Sequence, residues 1–271
     1  MPAETYGSAI VTPVAGVGGR YFSGHVLDKD IASFRNLQLW FDGKAITGLA
    51  PLRGRDRIGG RAVAAATVAA SPAIVPSAVD FDGPGFSMLK TAAQVLQVAD
   101  YTLPTAGYHF LSVVDPTNTN TSVRGLFGHL DGTGDRARWW LSQAAPGDPL
   151  AFFMNHAASG GGTSFNVAAG STGIVAGVRH LLWGSYDGVN QVVALGRGLT
   201  VLGSGVVTRA PKVSAGMAIF GTGTNTQEFF GRGDAFLLGA GPLWNAYADN
   251  PVNAMRAALV TLLGTRYGVA V

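Results

Sequence analysis

The chain has no cysteine and few charged residues, and these two shortages exclude several classes of protein. Without cysteine there is neither a disulfide framework nor a thiolate metal site. Charged residues make up 13% of the chain, about half of the usual ~25%, so we expect part of the surface to be buried in an assembly. A net charge of +3 over 271 residues is too weak a signal for a nucleic-acid-binding protein.

Glutamate is also scarce, and its scarcity argues against the commonest carbohydrate chemistry. Glycoside hydrolysis generally needs two carboxyl groups that flank the scissile bond, yet the only glutamates are Glu4 and Glu228. The nearest alternating acidic pair is Asp80 and Asp82. The sequence also lacks a Gly-x-Ser-x-Gly elbow and a nucleotide-binding glycine loop. We therefore expect a protein that is not an enzyme, with an unusual glycosidase as the least favoured alternative.

The N-terminal part of the chain differs from the rest. It has no basic segment followed by an apolar core, so we expect no signal peptide. Residues 10–19 are apolar and rich in glycine, which predicts an extended arm within a docking segment at 1–35. A first strand with a loose tail is the alternative. The apolar stretch 62–79 is interrupted by serine and proline, so we expect no membrane insertion.

Glycine is abundant, with 39 residues, and it separates short runs in which apolar and polar residues alternate. Residues 178–188 followed by 191–195 predict a β-hairpin with its turn at Tyr186-Asp187-Gly188. Similar runs recur at the spacing of an all-β sandwich. They lie at 108–114, 125–128, 137–141, 150–154, 164–168, 217–221 and 229–238.

Local sequence patterns predict the first strand of the sandwich and a helix near its C-terminus. Residues 36–42 alternate, which predicts a first strand with Leu37, Leu39 and Phe41 on one face. Near the C-terminus, Asn250 and the proline after it are typical of a helix N-cap and first helical position. Gly264 is a candidate for the end of this helix.

Two arginine-containing segments resemble contact sites for a partner. Arg53, Arg55, Arg57 and Arg61 surround glycines, which predicts a solvated loop, with a subunit or polyanion contact as the alternative. Residues 232–234 spell Arg-Gly-Asp, for which we expect a β-turn rather than a recognition site.

The order of these segments resembles the laminin-G-like and concanavalin A-like jelly-roll domains. Residues 36–42 are similar to an early L-x-L-W-L-D strand, and 79–83 to V-x-F-D-G. Residues 178–188 resemble the W-x-x-x-x-Y-D-G hairpin, and 230–238 with 242–245 resemble the closing strand and the L-x-N segment. The resemblance implies an all-β jelly-roll sandwich over 36–271 with a short C-terminal helix. It also implies that Asp80 and Asp82 lie in a turn.

The candidate binding residues are aromatic and polar. Trp139 and Trp140 are adjacent, so on a strand one enters the core and the other faces a partner or a sugar. His129 and Asp131 occupy a predicted loop that could contact a ligand. We expect no cofactor. The alternative that the resemblance implies is calcium bound at oxygen-rich loops. The calcium candidates are Asp115, Asn118, Asn120, Asp131 and Asp135.

The resemblance, the low charge and the apolar arm together favour a structural role in a virion. Chains of this kind look like bacteriophage capsid-decoration, head-fibre or tail-associated proteins. We therefore predict a homo-oligomer, such as a trimer, that docks to other virion proteins through its arm and could contact host-surface glycan. A carbohydrate-binding, lectin-like module is the alternative.

Overall fold

The computed structural model of the protein describes eleven ranges of the chain. These are residues 26–34, 36–65, 73–75, 85–88, 96–116, 124–129, 136–142, 150–157, 165–207, 215–221 and 231–271. They include two helices, α1 (Val26–Ser33) and α2 (Pro251–Tyr267), and a 3-10 turn (Gly43–Ala45).

The strands are β1 (Leu37–Asp42), β2 (Ile46–Leu49), β3 (Leu52–Arg55), β4 (Ala62–Ala65), β5 (Ala73–Val75), β6 (Gly85–Met88), β7 (Leu96–Thr102), β8 (Gly107–Pro116), β9 (Arg124–His129), β10 (Arg136–Ser142), β11 (Leu150–Ala157), β12 (Phe165–Ile174), β13 (His180–Asp187), β14 (Val192–Arg197), β15 (Thr200–Val206), β16 (Ala215–Ile219) and β17 (Gly231–Ala240).

The strands form two antiparallel sheets that pack face to face as a jelly-roll-like sandwich. The first sheet has the order β15-β14-β13-β8-β17-β6-β5, and β1 also pairs with β17. The second has the order β12-β11-β10-β9-β16-β7-β4-β3-β2. This arrangement confirms the predicted all-β fold and the predicted hairpin, which is β13 paired with β14.

Aromatic side chains dominate the core between the sheets. Phe110 stacks on Phe236 with ring centroids 5.8 Å apart, and Trp139 meets Phe110 edge to face at 5.2 Å. The buried indole N–H of Trp139 donates to the hydroxyl of Tyr108 at 3.1 Å, which satisfies both polar groups. Gly184 makes this packing possible, because a Cβ there would lie 2.7 Å from the Trp139 ring.

A second core lies on the outer face of the first sheet, beneath the two helices. Leu111, Trp183 and Leu237 of the sheet pack with Leu259 and Leu263 of α2. Full burial of a leucine side chain stabilises the folded state by about 1.5–3 kcal/mol. The buried leucines of this layer therefore supply much of the free energy that holds the helices against the sheet. Among the described residues, no helix has the length and apolarity needed to span a bilayer.

Strand β1 contributes to both cores, which differs from the prediction that Leu37, Leu39 and Phe41 share a face. Leu39 and Phe41 do lie in the core between the sheets, but Leu37 lies in the second core. The pairing of β1 with β17 shifts register between Leu37 and Leu39. Such a bulge turns the residue before it to the opposite face.

Beneath the helices lies a network of buried charges. The Arg57 guanidinium donates to Asp28 at 2.6 Å and to Asp42 at 2.7 Å, and Arg266 pairs with Asp28 at 2.9 Å. The Tyr267 hydroxyl donates to Asp42 at 2.9 Å. The two carboxylates and two guanidiniums of this network balance in charge.

This network corrects two sequence predictions. Arg57 does not lie in a solvated loop, because its side chain is buried and stacks on Trp40 at 3.8 Å. Residues 26–33 do not belong to an extended arm, because they form α1, whose Asp28 and Ile31 are buried. Residues 1–25 lie outside the described part of the chain.

The C-terminal helix begins where the sequence predicts and ends later. The Asn250 side chain accepts from the Val252 N–H at 3.0 Å, as expected for an N-cap. The prediction of Gly264 as the cap is wrong. The helix ends at Gly268, which has φ 62° and ψ 37°, a left-handed conformation that favours glycine.

The Arg-Gly-Asp tripeptide lies within β17, rather than in the expected β-turn. The Asp234 carboxylate is buried and is held by Arg232 at 2.7 Å and by Arg179 at 2.9 Å. A carboxylate held in this way is not presented to a partner.

Candidate functional site

A cavity of about 130 Å³ opens where the β13–β14 hairpin meets the segment between β17 and α2. We call it the aromatic pocket. Its described lining residues are mostly apolar or amide-bearing, and two are aromatic. They are Asp187, Asn190, Val192, Trp244, Asn245, Ala246 and Tyr247.

The hairpin turn forms one wall, and Asp187 holds its shape. One carboxylate oxygen of Asp187 accepts from the backbone N–H groups of Val189 and Asn190, at 3.0 and 3.1 Å. The other oxygen accepts from the Asn190 side-chain amide at 2.7 Å. Aspartate commonly stabilises turns in this way, so the Tyr-Asp-Gly signal in the sequence has a physical cause.

The opposite wall is residues 244–247, which we call the pocket loop. Asn253, in the first turn of α2, fastens it. The Asn253 side chain accepts from the Asn245 N–H at 3.1 Å and donates to the carbonyls of Asn245 and Tyr247, both at 2.9 Å. Asn245 in turn accepts from the Tyr247 N–H at 2.9 Å. These bonds fix the loop before any ligand arrives.

The chain entering the pocket loop is anchored to the sandwich. The Ser185 hydroxyl accepts from the Leu243 N–H at 2.8 Å. The His109 imidazole Nδ1 lies 2.9 Å from the Gly241 carbonyl, to which it donates. Burial lowers the pKa of His109 to about 4, and this hydrogen bond opposes the shift only in part.

The two aromatic residues of the pocket differ in exposure. Tyr247 is 79% exposed, so its ring is available to a ligand. Trp244 is half-buried, because part of it packs against the second core. A rigid, half-buried indole beside an exposed phenol ring presents apolar surface at little cost in conformational entropy.

The pocket presents hydrogen-bonding groups and aromatic rings side by side. Among its described lining residues, Asp187 is the only one with a carboxyl group. A glycosidase site needs two such carboxyl groups. The amides and the carboxylate can instead accept and donate hydrogen bonds to hydroxyl groups while the rings cover an apolar face.

The structure separates the two adjacent tryptophans. Trp139 is fully buried among core aromatic rings, so it has no surface for a ligand and its prediction as a binding residue is corrected. Trp140 is half-buried on the other face of β10. Its role in binding stays a prediction.

The remaining predicted site residues do not form a site in the described part of the chain. His129 is fully buried at the end of β9, which corrects its assignment to a ligand-contacting loop. Asp115 is half-buried on β8, and burial, with a contribution from Asp234, raises its pKa. The other candidates lie outside the described residues: Asn118, Asn120, Asp131 and Asp135. No described group of three or more histidine or acidic side chains is placed to hold a metal ion.

Sequence reasoning missed Trp244 and Tyr247 as site residues, although it identified both segments that build the pocket. Residues 242–245 were predicted as part of the closing segment of the sandwich, and Asp187 as part of a turn. The available signal was a pair of aromatic residues, Trp244 and Tyr247, shortly before the helix cap Asn250. Only the fold brings it against the hairpin.

Solved structures with a similar fold include carbohydrate-active and viral proteins. Domain 4 of an extracellular arabinanase from Geobacillus stearothermophilus, in complex with arabinotriose, has a TM-score of 0.51 at 16% identity, covering 83% of this chain and 98% of that one. The Trypanosoma rangeli sialidase in complex with the inhibitor DANA has a TM-score of 0.53 at 10% identity, covering 86% and 36%.

A viral structure is similar as well. Tailspike protein 2 of the Escherichia coli O157:H7 bacteriophage CAB120 has a TM-score of 0.51 at 14% identity, covering 70% of this chain and 26% of that one. Neither the family models nor the curated proteins gave a match to this chain. At such identities the likeness establishes a β-sandwich fold.

Proposed function

We propose that this chain is a non-catalytic carbohydrate-binding β-sandwich whose ligand site is the aromatic pocket. The observation that carries the proposal is the exposed Tyr247 ring, which lines one pocket with Trp244 and with the hydrogen-bonding side chains of Asp187, Asn190 and Asn245. Flat rings pack on the apolar faces of sugars, while amide and carboxylate groups bind the hydroxyls. The arabinanase domain solved with arabinotriose is a precedent for a sugar ligand on this fold.

The hydrogen bonds of the pocket loop support the same proposal. A weak ligand such as a short oligosaccharide cannot supply the free energy to order a loop, so its site must be formed in advance. Asn253 and Asp187 fix both walls independently of a ligand. The resemblance to laminin-G-like domains is compatible with this role but does not decide it, because one fold serves many functions.

The test is sugar binding by Tyr247 variants. A glycan array selects the best ligand, and calorimetry then compares the wild type with Tyr247→Ala and Tyr247→Phe. Because an aromatic contact contributes on the order of 1 kcal/mol, we expect Tyr247→Ala to weaken binding about fivefold and Tyr247→Phe to change it much less.

The matched control is Leu49→Ala, which truncates another strongly exposed apolar side chain, on β2 of the second sheet. Equal affinities of the wild type, Tyr247→Ala and Leu49→Ala would contradict the location of the site. An array without any hit would contradict the function.

The second candidate function is structural, in a virion, as a homo-oligomer that also docks to other virion proteins. The observation that favours it is strand β15 at the edge of the first sheet. In the described part of the chain it pairs on one side only, with β14, and residues 199–207 carry no charge and no proline. Val206 is 58% exposed. Natural edge strands are usually protected by lysine, proline or a bulge. The β14–β15 pairing shifts register once, opposite Leu195 and Gly196, but β15 carries neither lysine nor proline, so its edge can still pair with another chain.

The structural candidate predicts an oligomer that a single charge disrupts. Val206→Lys places a cation on the edge, and Val189→Lys is the control, since Val189 is 80% exposed at the pocket end of the hairpin. Light scattering should show an oligomer for the wild type and for Val189→Lys, and a smaller species for Val206→Lys. A monomeric wild type would argue against this candidate.

A further inference from the structure

The charge of the aromatic pocket limits which sugars it can hold. Among its seven described lining residues, Asp187 is the only one that carries a charge, and the others are amide, apolar or aromatic. No arginine or lysine is among them. Proteins usually recognise carboxylates and phosphates through the forked hydrogen bonds of arginine or the charge of lysine.

The Asp187 carboxylate is fixed and still able to accept one more hydrogen bond. A carboxylate has about four acceptor positions. Three are taken by the backbone of Val189 and by the backbone and side chain of Asn190. The carboxylate cannot rotate away from an approaching anion, because these three hydrogen bonds hold it in one orientation.

We propose that the aromatic pocket selects neutral saccharides and rejects sugars that carry a carboxylate. This inference rests on the proposed carbohydrate-binding function. A sugar hydroxyl can donate to Asp187 while its apolar face covers Tyr247. A sialic or uronic acid brings a second negative charge into a partly desolvated site, where like charges repel more strongly than in bulk water.

The experiment compares matched ligands on the full chain. An array carries neutral oligosaccharides, including arabinotriose and lactose, beside acidic counterparts such as 3'-sialyllactose and galacturonic acid oligomers. Calorimetry at low salt then measures the best neutral ligand and its acidic counterpart against the wild type, Asp187→Asn and Asp249→Asn. Asp249 is exposed two residues after Tyr247 and does not line the pocket, so its variant removes one charge nearby without changing the site.

The wild type should bind the neutral ligand at least tenfold more tightly than its acidic counterpart. Asp187→Asn loses the charge and keeps an oxygen for the two backbone N–H groups, so it should reduce this ratio severalfold, whereas Asp249→Asn should leave it unchanged. Acidic ligands that bind as well as neutral ones, or a ratio that Asp187→Asn leaves unaltered, would overturn the inference while leaving the sugar-binding function in place. Binding of neither class would overturn the proposed function itself, and the inference with it.

Discussion

At the scale of single residues, the buried charges of Asp28, Arg57, Asp42 and Arg266 are the most consequential feature. Each ion is removed from water, which costs several kcal/mol, and the cost is offset only because every carboxylate meets a guanidinium. Burial lowers the pKa of Arg57 while the Asp42 and Asp28 carboxylates raise it, and the net direction is upward. The network therefore ties α1, β1 and α2 together as long as all of its members are present.

Removing one member of this network should destabilise the fold strongly. Asp28→Ala leaves Arg57 and Arg266 each with one ionic partner fewer, and the expected loss is about 3–5 kcal/mol in the free energy of unfolding. Urea denaturation followed by tryptophan fluorescence measures it. Asp30→Ala, on the exposed side of the same helix, should change stability by less than about 0.5 kcal/mol. Equal losses for both variants would show that the network does not hold the helix.

His109 should make the fold sensitive to acid. Burial lowers its pKa to about 4 in the folded protein, whereas a free histidine side chain has a pKa of 6.5. Because the folded pKa is depressed, the unfolded chain binds the extra proton, so stability falls as pH decreases from about 6.5 to about 4. The contribution amounts to about 3 kcal/mol over that window, since one pKa unit corresponds to about 1.4 kcal/mol.

The measurement is unfolding free energy against pH for the wild type and His109→Gln. The glutamine variant should show a flatter profile between pH 6.5 and 4, because it has no proton to gain there. Parallel profiles would mean that carboxylates alone produce the acid sensitivity.

At the scale of elements, the pocket loop depends on a helix that contributes no described lining residue. Asn253 belongs to the first turn of α2, and its side chain bonds both ends of the loop. The cap at Asn250 and the hydrogen bond from its N–H to the Tyr247 carbonyl, at 3.1 Å, fix the start of the helix beside the loop. A substitution in the helix can therefore alter the conformation of the pocket loop without replacing a side chain that lines the pocket.

Loosening this attachment should weaken ligand binding more than it weakens the fold. Asn253→Ala removes three hydrogen bonds to the pocket loop, so the ligand must then order the loop, and we expect a roughly tenfold loss of affinity. Asn253→Asp keeps the acceptor for the Asn245 N–H and loses the donors, so its affinity should fall in between. Calorimetry with the best array ligand measures the effect, with melting temperatures as the control. Unchanged affinity in Asn253→Ala would show that the bonds do not organise the site.

At the scale of the whole molecule, the sandwich extends further towards the N-terminus than the sequence indicates. Helix α1 covers the outer face of the first sheet together with α2, and its Ile31 and Ala32 are buried. A docking arm that is separable from the sandwich is thus proposed for residues 1–25 alone, rather than for 1–35.

Two truncations distinguish these boundaries. Deletion of residues 1–25 should leave the melting temperature within a few degrees of the full chain. Deletion of 1–33 removes Asp28 and Ile31, so it exposes apolar surface, breaks the ion network and should lower the melting temperature by more than ten degrees or prevent folding. If both truncations melt like the full chain, α1 adds nothing to the fold.

The sequence by itself determined the elements whose cause is local. The β13–β14 hairpin follows from alternation and an aspartate turn, and the start of α2 follows from Asn250 and Pro251, because these signals act within a few residues. The all-β class follows from the same alternation repeated along the chain. The segment Leu96–Thr102 shows the limit of such reasoning: it forms β7 by pairing with β16 and β4, and no local pattern in the sequence marks it as a strand.

The tertiary structure alone decided which residues meet. Trp139 and Trp140 are equal candidates in the sequence, but packing buries one completely and leaves its neighbour half-buried. Arg57 is indistinguishable from Arg53 and Arg55 until Asp28 and Asp42 converge on it. Tyr247 lies 60 residues from Asp187, and only the folded sandwich brings them to one pocket. Contacts between distant segments depend on long-range packing, which no local pattern encodes.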